Sequence, residues 1–303
     1  MSDRATLPIY IVNPTTKHTH TAILLHGQGD NGADFAEELL CSSSFSEGRA
    51  GGDSEKTLPA LFPSWRWVFP SAPSRWSRVF EEELSAWFDA PSLSDPTFME
   101  DLQMDGIRES VLDISRILHD EASRLGGASQ NIVLGGISQG AAVGLWALLY
   151  HGREAPCSKL GGFVGASCWL PFSSYIERVL CNTDVGQLTT DPPVPTTTTT
   201  TSLDFVNSMF KATKSSLASH SHDGPHPLLS TPVFLGHGTD DAYVDISLGR
   251  HARDVLTRVG FFEVMWKEYV GAEQEGHWFK EPEQVDDIVQ FLRTVDTGQP
   301  FST

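Results

Sequence analysis

The sequence predicts an α/β domain whose mainly parallel central sheet carries helices on both faces. Apolar strand-like runs alternate with amphipathic helical runs along the chain, an order that favours parallel pairing. With 303 residues, the chain is long enough to bury one large core or two small ones. Between these runs, Asn131–Ala142 reads as a buried strand, a glycine-flanked serine and the small-residue start of a helix. One domain over residues 1–303 accommodates all of this.

Taken in order, Ile9–Val12 is a β-branched and aromatic run, and Thr21–Leu25 is an apolar one. Both read as strands, with a helix following near Ala33 to Leu40. Arg66–Pro70 is a third strand. From Asp105 to Leu125, Ile107, Val111, Ile114, Ile117, Leu118 and Ala122 recur on one stripe, which predicts a long amphipathic helix. Beyond the serine, strands are expected at Gly161–Ala166, Pro232–Leu235 and Glu263–Val270, and helices at Ile246–Val259 and Pro282–Val295. Two stretches break the rhythm. Residues 42–56 are rich in Ser, Gly and Glu, and residues 184–230 hold Pro192-Pro193 and the run Thr196–Thr201; both read as surface insertions outside the core. Leu203 to Leu217 is expected to form a short helix there, at a place where a helix could act as a lid. His220, His222 and His226 lack acidic or cysteine partners at ligand spacing and read as a solvated loop rather than a metal site.

A net charge of -18 opposes nucleic-acid and anionic-membrane binding by repulsion. The start Met1–Pro8 has no apolar core of a secretory signal, and no apolar run is long enough to span a bilayer, so a soluble cytoplasmic protein is expected. Cys41, Cys157, Cys168 and Cys181 are scattered without CxxC pairing, which predicts reduced thiols.

Gly136-Ile137-Ser138-Gln139-Gly140 is a G-x-S-x-G turn in its proper strand-to-helix setting, and it makes Ser138 the candidate nucleophile. A hydroxyl needs a base, and the base needs an orienting acid. In this architecture the order is Ser, Asp or Glu, then His. The segment Val233–Asp241 reads as a strand running into a tight loop, which places Asp241 at the strand's C-terminal end, with Asp240 as the neighbour most easily confused with it. Of the later histidines, His251 lies inside a helical run, whereas His277 lies in a glycine-containing loop after a strand and is the better base. The backbone N–H groups of Gln139, at a helix N-terminus, and of Gln28, in the loop His26–Asp30, are the candidate oxyanion donors; each such donor contributes about 3 kcal/mol.

The blocks Leu25–Asp30, Ala72–Arg75, Ser85–Asp89, Gly135–Gly140, Ser167–Pro171 and His237–Val244 together closely resemble the acyl-protein thioesterase, lysophospholipase and carboxylesterase family. The resemblance implies an α/β-hydrolase fold, Ser138, Asp241 and His277 as a catalytic triad, and the amides of Gln28 and Gln139 as the oxyanion hole. It also implies an acyl channel bordered by Trp169, Leu170 and the region from Trp76 to Phe88, which includes Phe80 and Trp87. No cofactor or metal is implied. The substrates implied are S-acylated proteins, lysolipids, or small esters and thioesters.

The chain departs from the family where Trp76–Leu84 replaces a proline and threonine ahead of the Trp-Phe-Asp block, and this bears on the substrate more than on the chemistry. Trp76, Phe80, Trp87 and Phe88 are equally compatible with core. Glu81, Glu82 and Glu83 read as a solvated face, with a cationic-substrate site as the alternative. Other functions remain open: a small-molecule or biosynthetic esterase or acyltransferase, a lysophospholipase, or a hydrolase-shaped receptor with negligible turnover. The oligomeric state is left open.

Overall fold

The computed structural model describes residues 6–41, 57–92, 94–155, 158–181, 197–218 and 225–298. Its strands are β1 (Ile9–Val12), β2 (His20–Leu25), β3 (Trp65–Pro70), β4 (Ser74–Ser77), β5 (Glu82–Ser85), β6 (Ile132–Ile137), β7 (Gly162–Ala166), β8 (Val233–Gly238) and β9 (Val264–Tyr269). A seven-stranded sheet runs in the order β1-β3-β2-β6-β7-β8-β9. Every neighbouring pair is parallel except β1 with β3. β2, β6, β7 and β8 are buried at every position, so their sequences are mostly apolar and small rather than alternating, with His20 and Thr21 in β2 and His237 in β8 as buried polar exceptions. β4 and β5 pair separately as an antiparallel hairpin, which the sequence reading did not foresee.

The α-helices are α1 (Gly32–Cys41), α2 (Leu58–Leu61), α3 (Gln103–Arg124), α4 (Ser138–Glu154), α5 (Ser173–Leu180), α6 (Thr197–Ala218), α7 (Ile246–Val259) and α8 (Glu283–Thr297). They cover both faces. On one face α3, α4, α6 and α7 pack in a large core with Ile107, Val111, Trp146 and Val255 among its members. On the other, α1 and α8 close a second core that includes Phe35, Trp65, Trp67, Phe69 and Phe291. α4 follows the elbow directly and is buried almost all round, as expected of a helix without a polar face. Among the described residues, no helix is long and apolar enough to cross a membrane.

The expectation that residues 184–230 lie outside the core is overturned in the part described. α6 buries Phe205, Val206, Met209 and Phe210 in the main core. The Phe205 and Phe210 rings lie 5.2 Å and 4.7 Å from the Trp146 ring of α4. These apolar positions recur at helical spacing, a signal that the neighbouring threonine run masks in a composition-based reading. The Ser202 hydroxyl donates to buried Glu100 at 2.6 Å and adds a polar tie. Residues 42–56, the other expected insertion, lie outside the described residues.

Candidate active site

β6 ends at Ile137 and α4 begins at Ser138, whose φ of 53° is left-handed. A side chain in that conformation costs roughly 1–3 kcal/mol, a strain that the packing around it must hold. The flanking glycines are obligatory. A Cβ at Gly136 would overlap the Leu25 carbonyl, and one at Gly140 would overlap the carbonyls of Leu25 and His26. The tight approach of β2 to the start of α4 therefore dictates the glycine spacing.

β8 runs into the loop that carries Asp240 and Asp241. The Asp241 side chain is fully buried, and its Oδ2 and Oδ1 lie 2.8 Å and 3.0 Å from His277 Nδ1. Asp241 Oδ1 also accepts the backbone N–H groups of Tyr243 and Val244, both at 2.9 Å. Burial works to raise the Asp241 carboxyl, but hydrogen bonds from His237, His277 and Val244 outweigh it and hold the group well below the usual carboxylate range. Because a carboxylate can only accept, His277 Nδ1 carries the proton, which leaves the Nε2 lone pair available. Asp240 turns away and accepts the Gly271 N–H at 2.9 Å. His251 remains within α7. Gly276, at φ 84°, presses the His277 loop onto this turn so closely that a Cβ there would come within 2.6 Å of the Asp240 carbonyl.

Gln28 follows β2, and the loop bearing it is strapped to the segment after β5. The buried Gln139 side chain accepts the Trp87 N–H at 2.8 Å, donates to the Phe88 carbonyl at 2.9 Å and reaches Gln28 Oε1 at 3.3 Å. Gly29 N–H donates to the Ser85 carbonyl, and the Trp87 indole donates to the His26 carbonyl. His26 Nε2 accepts the Ala72 N–H at 2.9 Å, so its Nδ1–H donates to the Gly27 carbonyl at 2.6 Å. Burial pushes the His26 imidazole down and favours this neutral form. Sequence reasoning missed His26 and the Gln139 side chain as scaffold. The signal available was a histidine placed directly between strand and glycine.

Ser138, His277 and Gln28 share one cleft of about 680 Å³, with Phe80, Tyr243 and Trp278 among the aromatic walls and Asp30, Glu38 and Glu275 among the polar ones. Asp241 sits behind His277. Of the residues expected to border the acyl channel, only Phe80 lines this cleft. Trp87, Phe88, Trp169 and Leu170 are core instead: all four are buried, and Phe88 meets Trp169 edge-on at 6.1 Å. Trp76 stands on the β4–β5 hairpin, 54% exposed. Aromatics in aperiodic segments carry no facing information, so the sequence could not separate wall from core.

Among the described residues, no three His, Cys, Asp or Glu side chains are grouped to hold a metal. His226 is buried and accepts the Leu228 N–H through Nδ1, while His220 and His222 lie outside the described residues. Cys168 and Cys181 are free thiols, and burial pushes that of Cys168 up to about 12.

A parallel sheet with a strand–serine–helix elbow at its centre defines the α/β-hydrolase class. A family model described as "Phospholipase/Carboxylesterase" matches residues 8–226, and the chain belongs to that family. It is an ester or thioester hydrolase. A protein named acyl-protein thioesterase 1 in Yarrowia lipolytica is 26% identical over 283 residues, which cover 91% of each chain. One of the same name in Schizosaccharomyces pombe is 30% identical over 209 residues, 67% of this chain and 82% of that one. Among solved structures, Zea mays acyl-protein thioesterase 2 superposes with a TM-score of 0.59 at 23% identity, covering 95% of this chain and 98% of that one, a likeness of fold. The matched region contains Ser138 but ends before Asp241 and His277.

Proposed function

We propose that the chain is a serine hydrolase acting on thioesters of S-acylated proteins, with carboxylic esters also accepted. Ser138 is the nucleophile, His277 the general base and Asp241 its orienting acid. The observation that carries this reading is the His277–Asp241 contact at 2.8 Å, with His277 and the strained Ser138 in one cleft. Ser138 Oγ attacks the acyl carbonyl while His277 Nε2 takes its proton, and Asp241 holds the tautomer and stabilises the imidazolium. The tetrahedral oxyanion is received by the N–H groups of Gln28 and Gln139, the latter at the positive end of α4. Collapse expels the thiol or alcohol, which takes the proton from His277. Water then attacks the acyl-serine by the same route in reverse, releasing the acid and Ser138.

Two observations support the thioesterase assignment: fungal relatives of that name align over most of this chain, and the cleft has carboxylates but no Lys or Arg among its described lining residues. Asp30, Glu38 and Glu275 repel a phosphate-bearing leaving group, which favours an acylated cysteine over a lysophospholipid. Matched oxyesters and thioesters from acetyl to palmitoyl, together with a lysophospholipid, test this. Turnover that depends on Ser138 and is greatest on long-chain thioesters is expected; an optimum on short oxyesters or on the lysophospholipid would replace the assignment with a small-molecule esterase or a lysophospholipase.

A further inference from the structure

We propose that His237 is a positioning residue of the reaction: its Nε2–H steadies Asp241 Oδ2 from the side opposite the substrate and so fixes the ring of His277. This rests on the roles given above to Ser138, His277 and Asp241. β8 delivers His237 beside the turn, with its side chain fully buried. Its Nε2 lies 2.9 Å from the Val244 carbonyl, which can only accept, so Nε2 carries a proton. The same nitrogen also lies 3.4 Å from Asp241 Oδ2, close enough for its N–H dipole to favour the carboxylate although its hydrogen bond goes to Val244. Val244 closes the circuit, since its own N–H donates to Asp241 Oδ1. Oδ1 is thus held by the backbone, whereas without His237 the Oδ2 atom would be held by His277 alone.

The other nitrogen, Nδ1, is buried with no partner, and it faces Gly249 of α7 so closely that a Cβ there would come within 2.5 Å. Trp266 of β9 flanks the ring at 6.1 Å. An imidazole that leaves one nitrogen unsatisfied is an unfavourable filler for a buried slot; its polar contribution lies in Nε2–H. The titratable groups around it are Asp241 and Asp245 on its own loop and His277 across the turn, with Glu268 of β9 in register with His237, and Arg250 and Arg253 of α7 beside Glu268 and over Trp266.

The test measures p-nitrophenyl octanoate hydrolysis by the full chain across pH, with thermal melting of each variant. His237→Phe keeps a ring but removes the donor, and His237→Gln restores an N–H near the Nε2 position. His237→Phe is expected to lower kcat roughly tenfold, the low end of the range for losing a donor beside a charged group because the 3.4 Å contact is long, with KM little changed. Its acid limb should move to higher pH, because a carboxylate with one donor fewer holds the imidazolium more strongly. His237→Gln should recover most of both. If the Phe variant does not fold, His237→Leu serves the same comparison. Wild-type kcat and acid limb in the folded donor-less variant would overturn the proposal, as would equal losses in the Gln and Phe variants with an unmoved limb. Ser138→Ala run alongside separates the two claims. If it still turns over, the assignment of the site fails; if it is inactive while the His237 variants behave as wild type, only the positioning role fails.

Discussion

At the scale of single residues, the site depends on a few atoms that have no room to move. Ser138→Ala removes the proposed nucleophile without touching the elbow glycines, so turnover should fall on the order of 10⁶-fold at an unchanged melting temperature. Asp241→Asn leaves the shape but no longer selects the tautomer, and kcat should fall on the order of 10⁴-fold. Asp241 also links stability to pH. Its folded pKa is depressed, so its contribution is fully present above the unfolded value near about pH 4 and is lost as pH falls towards the folded value. Guanidinium unfolding of wild type and Asp241→Asn should therefore show a constant gap at neutral pH that closes below about pH 4; a gap that widens on acidification would contradict the assignment. The positions proposed for these roles could be picked from the sequence because a nucleophile elbow is local and the order Ser, Asp, His follows strand order. The choice between Asp240 and Asp241 rested on position alone, and it is the Gly271 N–H holding Asp240 that separates them in space.

At the scale of elements, two attachments shape the cleft. The Gln139 side chain ties the Gln28 loop to Trp87 and Phe88, so Gln139→Leu keeps the backbone N–H of the elbow yet frees the loop. It should destabilise the fold by about 1–3 kcal/mol for the buried groups it leaves unpaired, and lower kcat more than it raises KM. Unchanged unfolding and kinetics would show that the strap is incidental. The other attachment is α6 on α4. Phe210 is fully buried against Trp146, so Phe210→Ala should cost about 3–5 kcal/mol in chemical denaturation. A cost below about 1 kcal/mol would mean that α6 is a surface appendage. Neither attachment was legible beforehand: a glutamine beside the nucleophile suggests only its amide, and the threonine run drew attention from the stripe of Phe205, Val206, Met209 and Phe210.

At the scale of the whole molecule, the alternation of strands and helices was legible because β2, β6 and β8 are buried on both faces and are mostly apolar or small. Their ends fell within a few residues of expectation. What the sequence did not reveal is which of these large apolar side chains face the cleft: Phe80, on the turn between β4 and β5, does, while Trp87, Phe88, Trp169 and Leu170 are buried away from it. The sheet brings the ends of β2, β6 and β8 together, so residues far apart in sequence meet in one cleft. The most direct test of that convergence is active-site labelling with a fluorophosphonate, which loses fluoride to an activated serine, followed by mass spectrometry of the labelled peptide. Stoichiometric modification of Ser138 is expected, abolished in Ser138→Ala and greatly slowed in His277→Ala. Modification of another residue, or persistent hydrolysis by unlabelled Ser138→Ala, would contradict the central claim.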